Sequence, residues 1–185
     1  MAVAQRMSEQ EYEAFVFSGV EGLWELHDGV LVEKPGISWK HMARASLLGV
    51  LLQNQLDLDE YRVFVESRVR RPTATIFLPD VMVVPVAYGE EIADLPVLAI
   101  FAKPLPLVVE AWSPSTGDYD VDTKIPVYQQ RGDAEIWRIH PYERTLTRWV
   151  RLSDGAYVET TLHGGVVALV ALPGVTIDLD RLFAG

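Results

Sequence analysis

The sequence contains no cysteine, so it can form neither a disulfide framework nor a thiolate metal site. Any metal chemistry must then come from carboxylates and the four histidines, and oxygen ligands favour Mg²⁺ or Mn²⁺. Long apolar runs are also absent: no stretch approaches the roughly 18 to 20 apolar residues of a membrane span. Met1 to Arg6 has no apolar core behind its one basic residue, which predicts no signal peptide and a cytoplasmic location. Positive charge is scarce, with 16 Lys and Arg against 26 Asp and Glu, a formal net charge of -10. That balance argues against a protein that coats nucleic acid, because such binding draws on Lys and Arg neutralising phosphates. Two arginine groups, Arg62, Arg68, Arg70 and Arg71, then Arg138, Arg144, Arg148 and Arg151, could still form a local basic patch. Their plainer reading is a solvated strand face. There is no Gly-rich phosphate loop, no Gly-x-Ser-x-Gly elbow and no HExxH.

What is present suits one domain spanning 1–185, with 49% apolar residues spread in short runs. Ser8 to Glu11 is a capping-box pattern that starts a helix ending near Gly19. Asp28-Gly29 joins two apolar-rich runs as a hairpin. After Pro35-Gly36, Ser38 can cap a main helix over His41 to Leu56, where apolar residues recur at helical spacing. Tyr61 to Val69, Ile76 to Leu78, Val81 to Val86 and Leu107 to Glu110 read as strands. A helix over about Asp122 to Gln130 precedes the last strands: Glu135 to His140, Thr145 to Leu152, Ala156 to Leu162 and Val166 to Leu172. Trp112, Trp137 and Trp149 are expected in the core.

Asp80 and Glu110 each sit where an apolar strand meets a turn, so two carboxylates can converge at one sheet edge and hold Mg²⁺. Such an ion lowers the pKa of bound water and offsets charge building on a phosphate. Taken singly, an Asp after proline is an ordinary turn former and a strand-end Glu an ordinary surface partner. Lys124 follows Glu110 by 14 positions (124 − 110), on the next helix, and could stabilise transition-state charge; alone it reads as a solvated helix lysine. Glu33 ends the second strand and His41 opens the main helix, so both can face the same edge, Glu33 as an additional ligand or helper. Asp120 and Tyr128 flank Lys124.

The segments Trp24 to Glu33, Pro79-Asp80-Val81 and Val109-Glu110-Ala111-Trp112-Ser113-Pro114-Ser115-Thr116, followed by Asp120, Lys124, Tyr128, Gly132, Glu135 and Trp137, together resemble the Uma-type restriction endonuclease family of the PD-(D/E)XK nuclease superfamily. The likeness runs through Pro173-Gly174 to Leu182-Phe183. It implies an α+β, restriction endonuclease-like fold: a mixed sheet flanked by helices, with additional C-terminal antiparallel strands. It also implies a Mg²⁺- or Mn²⁺-dependent DNA endonuclease with Asp80 and Glu110 as metal ligands and Lys124 and Glu33 as further catalytic residues. The superfamily's usual lysine, two residues after the second acid, is Trp112 here, and Lys124 takes that part in the likeness. Pro126 predicts that the helix starts late, with Asp122 or Thr123 as its cap, and the Trp112 indole narrows the path of a strand. A homodimer is expected, since cutting two strands calls for two sites. The alternatives are a catalytically silent binding or assembly module of the same fold, and a glycosidase pairing Asp80 with Glu110, which leaves Lys124 idle.

Overall fold

The computed structural model describes residues 6–184; Met1 to Gln5, on which the signal-peptide expectation rests, lie outside the described residues. In chain order the elements are α1 (Glu9–Phe17), β1 (Trp24–His27), β2 (Val30–Glu33), α2 (Trp39–Gln53), β3 (Tyr61–Val65), β4 (Arg68–Arg71), β5 (Thr75–Phe77) and β6 (Val81–Pro85). There follow α3 (Val86–Glu90), β7 (Ile100–Phe101), β8 (Leu107–Ala111), a π-helical turn (Asp120–Lys124), α4 (Ile125–Arg131), β9 (Glu135–His140) and β10 (Thr145–Arg151). β11 (Tyr157–Leu162), β12 (Val166–Ala168), β13 (Thr176–Asp178) and α5 (Leu179–Phe183) complete the chain. No helix among the described residues is long and apolar enough to cross a membrane.

Local signals in the sequence form as their chemistry dictates. Ser8 and Glu11 make a reciprocal capping box, Ser8 Oγ accepting from the Glu11 amide and Glu11 accepting from the Ser8 amide. Asp28 and Gly29 both take positive φ (46° and 81°), the geometry that closes a two-residue hairpin between β1 and β2. Ser38 caps α2 through the His41 amide.

The strands build an α+β architecture with mixed sheets. A six-stranded sheet runs β11-β10-β9-β8-β6-β3, antiparallel throughout except for the parallel pair β8–β9. A five-stranded sheet runs β2-β1-β5-β4-β7, and β12 pairs with β13 alone. Strand alternation sends Val81, Val83, Leu107 and Val109 to one face of the large sheet, where Leu48 and Leu52 of α2 and Leu179 and Leu182 of α5 pack on them. Met82, Val84 and Val108 go to the other face and pack with Val69, Phe77, Ile125 and Tyr128. Glu110 alternates with Val109 and so points to this second face, towards α4. Arg131, nearly out of water, ties the end of α4 down: it pairs with Asp133 at 3.0 Å and donates to the carbonyls of Arg70, Phe101 and Lys103.

Three expectations change. The strand expected over Tyr61 to Val69 breaks at Glu66, whose φ of 52° is left-handed, and its halves β3 and β4 join different sheets. The strand expected over Val166 to Leu172 shortens to β12 and leaves the large sheet. The helix expected from Asp122 begins instead as the π-helical turn, in which the Ile125 amide bonds Asp120 O, and neither Asp122 nor Thr123 caps α4. The widened turn precedes Pro126, which has no amide to donate and lies in the first turn of α4.

Candidate active site

Val81 of β6 pairs with Val109 of β8, so the residues just beyond this register, Asp80 and Glu110, stand at neighbouring strand ends. Both are buried, at 1% exposure. Asp80 Oδ2 accepts from the Ala111 amide at 2.6 Å, and its Oδ1 lies 2.6 Å from Lys34 Nζ and 3.2 Å from His41 Nε2. Glu110 Oε1 accepts from the Tyr128 hydroxyl at 2.5 Å and lies 3.4 Å from Lys124 Nζ. Lys124 Nζ also meets Glu25 Oε1 at 2.9 Å and Asp120 Oδ1 at 3.5 Å. Glu25 in turn accepts from the Leu78 amide at 2.8 Å, just ahead of Asp80.

The structure brings Asp80, Glu110, Lys124, His41, Asp120 and Tyr128 into one buried cluster. Glu33 stays outside it: the side chain is exposed on the wall of the adjoining cleft, with no ion pair among the described residues. The reason is strand alternation. Glu25 faces Val32 across the β1–β2 hairpin, so Glu33, one residue on, turns to the opposite face and Lys34 turns back. Glu25 and Lys34 thus hold inner places that the sequence reading missed. The signal available was a lone acid inside the apolar-rich run Trp24 to Leu26 and its two-residue phase with Lys34 across an Asp-Gly turn. Trp112, expected in the core, is half-buried, whereas Trp137 and Trp149 are buried.

Electrostatics sort the acids. Burial raises the Asp80 pKa, but Lys34, the His41 hydrogen bond and charge, and Lys124 outweigh it and hold the carboxyl below the usual range. Burial pushes Glu110 well above the ordinary glutamate value, with Asp120 and Asp80 adding to the rise against Lys124. Burial likewise raises Asp120. Lys124 is pushed down by burial and further up by Glu110, Glu25, Asp120 and Asp80, so its ammonium keeps its proton. Lys34 also rises on balance, burial being outweighed mainly by Asp80 and Glu110.

The cluster fits a hard divalent cation in kind. Its donors are carboxylate oxygens, and four acids (Glu25, Asp80, Glu110, Asp120) face two lysines (Lys34, Lys124), a formal excess of two negative charges (4 − 2) when all are ionised. His41 Nδ1 and Tyr119 Oη are buried without a hydrogen-bond partner among the described residues, and Asp120 Oδ1 has only the long contact to Lys124, whereas such groups ordinarily find a partner. Among the described residues, however, no three His, Asp or Glu side chains are already arranged around one point as a metal shell. Lysine ammonium groups stand between the acids instead. A cleft of about 280 Å³, lined by Glu25, Lys34, Ser115, Thr116, Tyr119 and Lys124, opens onto the cluster.

The sequence profile of the Uma2 family, described as "putative restriction endonuclease", matches residues 10–180. The chain belongs to this family. The crystal structure of a "putative nuclease belonging to DUF820" from Anabaena variabilis is similar at 18% identity, covering 90% of this chain and 94% of that chain, with a TM-score of 0.73. At that identity the match establishes a shared fold. No curated protein is detectably similar in sequence. The Uma2 match covers every residue of the buried cluster, from Glu25 to Tyr128.

Five of the eight arginines in the two groups are engaged within the protein, while Arg62, Arg144 and Arg151 are exposed. Arg68 donates to the Tyr12 hydroxyl, Arg70 pairs with Glu9 and Arg71 with Asp28. Arg138 pairs with Asp118, and Arg148 donates to Ala168 O.

Proposed function

We propose that the chain is a metal-dependent DNA endonuclease that hydrolyses phosphodiester bonds. One observation carries this reading: Asp80 and Glu110 lie at adjacent strand ends, in one buried cluster with Lys124. Asp80 and Glu110 would hold Mg²⁺ or Mn²⁺. The bound ion would supply Lewis-acid charge and a more acidic water for attack on phosphorus. Lys124, kept protonated by the surrounding acids, places a fixed positive charge at the cleft, where negative charge grows on the phosphate oxygens. Glu25 and Asp120 hold that ammonium in place, and Tyr128 orients Glu110 by donating to it. Glu33, on the cleft wall, can reach only an outer position through water.

The chain acts in this reading as one domain and as a homodimer, two copies giving one site for each strand. The edge strand β3, whose Val63 and Val65 line one cleft with exposed Val50 of α2, is the face offered to the second copy. Molar mass in solution tests this.

A second reading, a catalytically silent binding or assembly module, is favoured by the Lys34–Asp80 pair, which occupies an acid that a metal would need. Nicking of supercoiled plasmid at low salt with Mg²⁺, Mn²⁺ or EDTA separates the two. The nuclease reading expects metal-dependent nicking that Asp80→Ala and Lys124→Ala both lose. No nicking with either metal would favour the silent module, and full activity in Asp80→Ala would overturn the site.

A further inference from the structure

We infer that Trp39, Trp112, His140 and Tyr142 form a platform on which unpaired bases of a DNA single strand stack beside the cluster. The inference rests on the nuclease reading and narrows its substrate.

Trp112, His140 and Tyr142 are in mutual contact, and Trp39 adjoins them in sequence through Lys40. Trp112 stacks on His140 with centroids 4.3 Å apart and an interplanar angle of 26°, and Tyr142 meets Trp112 edge-on at 5.6 Å. His140 is held in orientation by the Glu143 amide, which donates to Nδ1 at 3.0 Å, and Glu143 Oε1 lies 3.8 Å from Nε2. Lys40 Nζ lies 4.9 Å from the Tyr142 ring centroid, bringing a cation to the surface. Tyr142 is 45% exposed and Trp39, next to Lys40, is 76% exposed. An indole left so open to water at a helix start serves no packing purpose.

The platform adjoins the cluster through the backbone. Trp112 follows Ala111, whose amide bonds Asp80, and Trp39-Lys40 precede His41, whose Nε2 lies 3.2 Å from the same carboxylate. Neighbouring Cα atoms lie about 3.8 Å apart, so a strand held on these rings would run beside the cluster.

This geometry answers the difficulty raised by a net charge of -10. Duplex binding relies on phosphate neutralisation, and Arg70, Arg71 and Arg138 are already paired with acids of the protein. Stacking adds affinity that does not come from phosphate neutralisation and accepts every base, because each has a π-face. A duplex buries those faces, so only an unpaired or locally opened strand can use the platform.

The test is binding of a fluorescein-labelled oligo(dT) strand of about twenty nucleotides, against a duplex of equal length, by anisotropy in EDTA across a salt series. The expected result is strand binding about tenfold tighter than duplex binding at each salt concentration. Trp39→Ala/Tyr142→Ala should weaken strand binding about tenfold while circular dichroism stays unchanged. Trp112→Phe should keep strand affinity and Trp112→Leu should lose it, which a merely structural role at a half-buried position would not require. Equal affinity for strand and duplex or an unaffected double variant would overturn the platform. Strand binding without cleavage of any nucleic acid would leave the platform standing and remove the nuclease; duplex cleavage with no strand preference would do the reverse.

Discussion

Lys34 Nζ lies 2.6 Å from Oδ1 of Asp80, with both side chains almost entirely out of water. The ammonium faces the carboxylate that the nuclease reading gives to the metal, so cation uptake must compete with a lysine already in place. Lys34→Met should raise Mn²⁺ affinity about tenfold, the equivalent of about 1.4 kcal/mol, by calorimetry. The same change should lower the melting temperature in EDTA, because removing one partner of a buried pair costs about 3–5 kcal/mol, and Mn²⁺ should restore it. Unchanged Mn²⁺ affinity would show that Lys34 and the ion do not compete.

Glu25 and Glu33 separate by contrast. Glu25 holds Lys124 and the Leu78 amide in the interior, so Glu25→Ala should destabilise by about 3–5 kcal/mol and reduce nicking. Glu33→Ala, at an exposed position, should stay within about 0.5 kcal/mol of the parent. Chemical denaturation of both variants checks this, and equal losses would contradict the placement of Glu25.

Glu110 carries a pH signature. Burial, with Asp120 and Asp80 adding, raises its pKa well above 4.5. A carboxyl raised by folding gives stability fully present below its unfolded pKa and lost as pH rises through the folded value. Glu110→Gln cannot ionise and escapes that loss. In EDTA, its melting temperature relative to the parent should therefore climb as pH rises above the ordinary glutamate range. Asp80 runs the other way, since its lowered pKa gives stability present above 3.8 and lost only on strong acidification. A gap that does not change with pH would mean that Glu110 ionises in the fold as it does unfolded.

Arg131 should resist even conservative exchange. It pairs with Asp133 and donates to carbonyls from β4 and from the segment after β7. A lysine cannot reproduce that fork of donors. Arg131→Lys should therefore cost about 1–3 kcal/mol in urea unfolding, and a neutral outcome would show that these carbonyls find other donors.

Much of this architecture was legible in the chain because short-range chemistry dictates it: the Ser8–Glu11 cap, the Asp28-Gly29 turn, and acids at the ends of β6 and β8. What escaped was phase and long-range pairing. Glu33 and Glu25 are equally acidic in sequence, and only the register of the hairpin decides which faces inwards. The division of one apolar run at Glu66 depends on a left-handed residue with no glycine to announce it. The burial of Lys34 leaves no local signal, because its partner Asp80 comes from a segment more than forty positions away.

The π-helical turn ahead of α4 has a consequence for chain length. Asp120, Lys124 and Tyr128 meet their partners across a turn wider than an α-helix, so the number of residues between them is constrained as strictly as their identity. Removing one residue there would rotate every later position of α4 by about 100°. Tyr128 would swing off Glu110 and Arg131 out of its carbonyls, although no functional side chain had been changed. Relatives should accordingly tolerate substitutions in this segment far more readily than insertions or deletions.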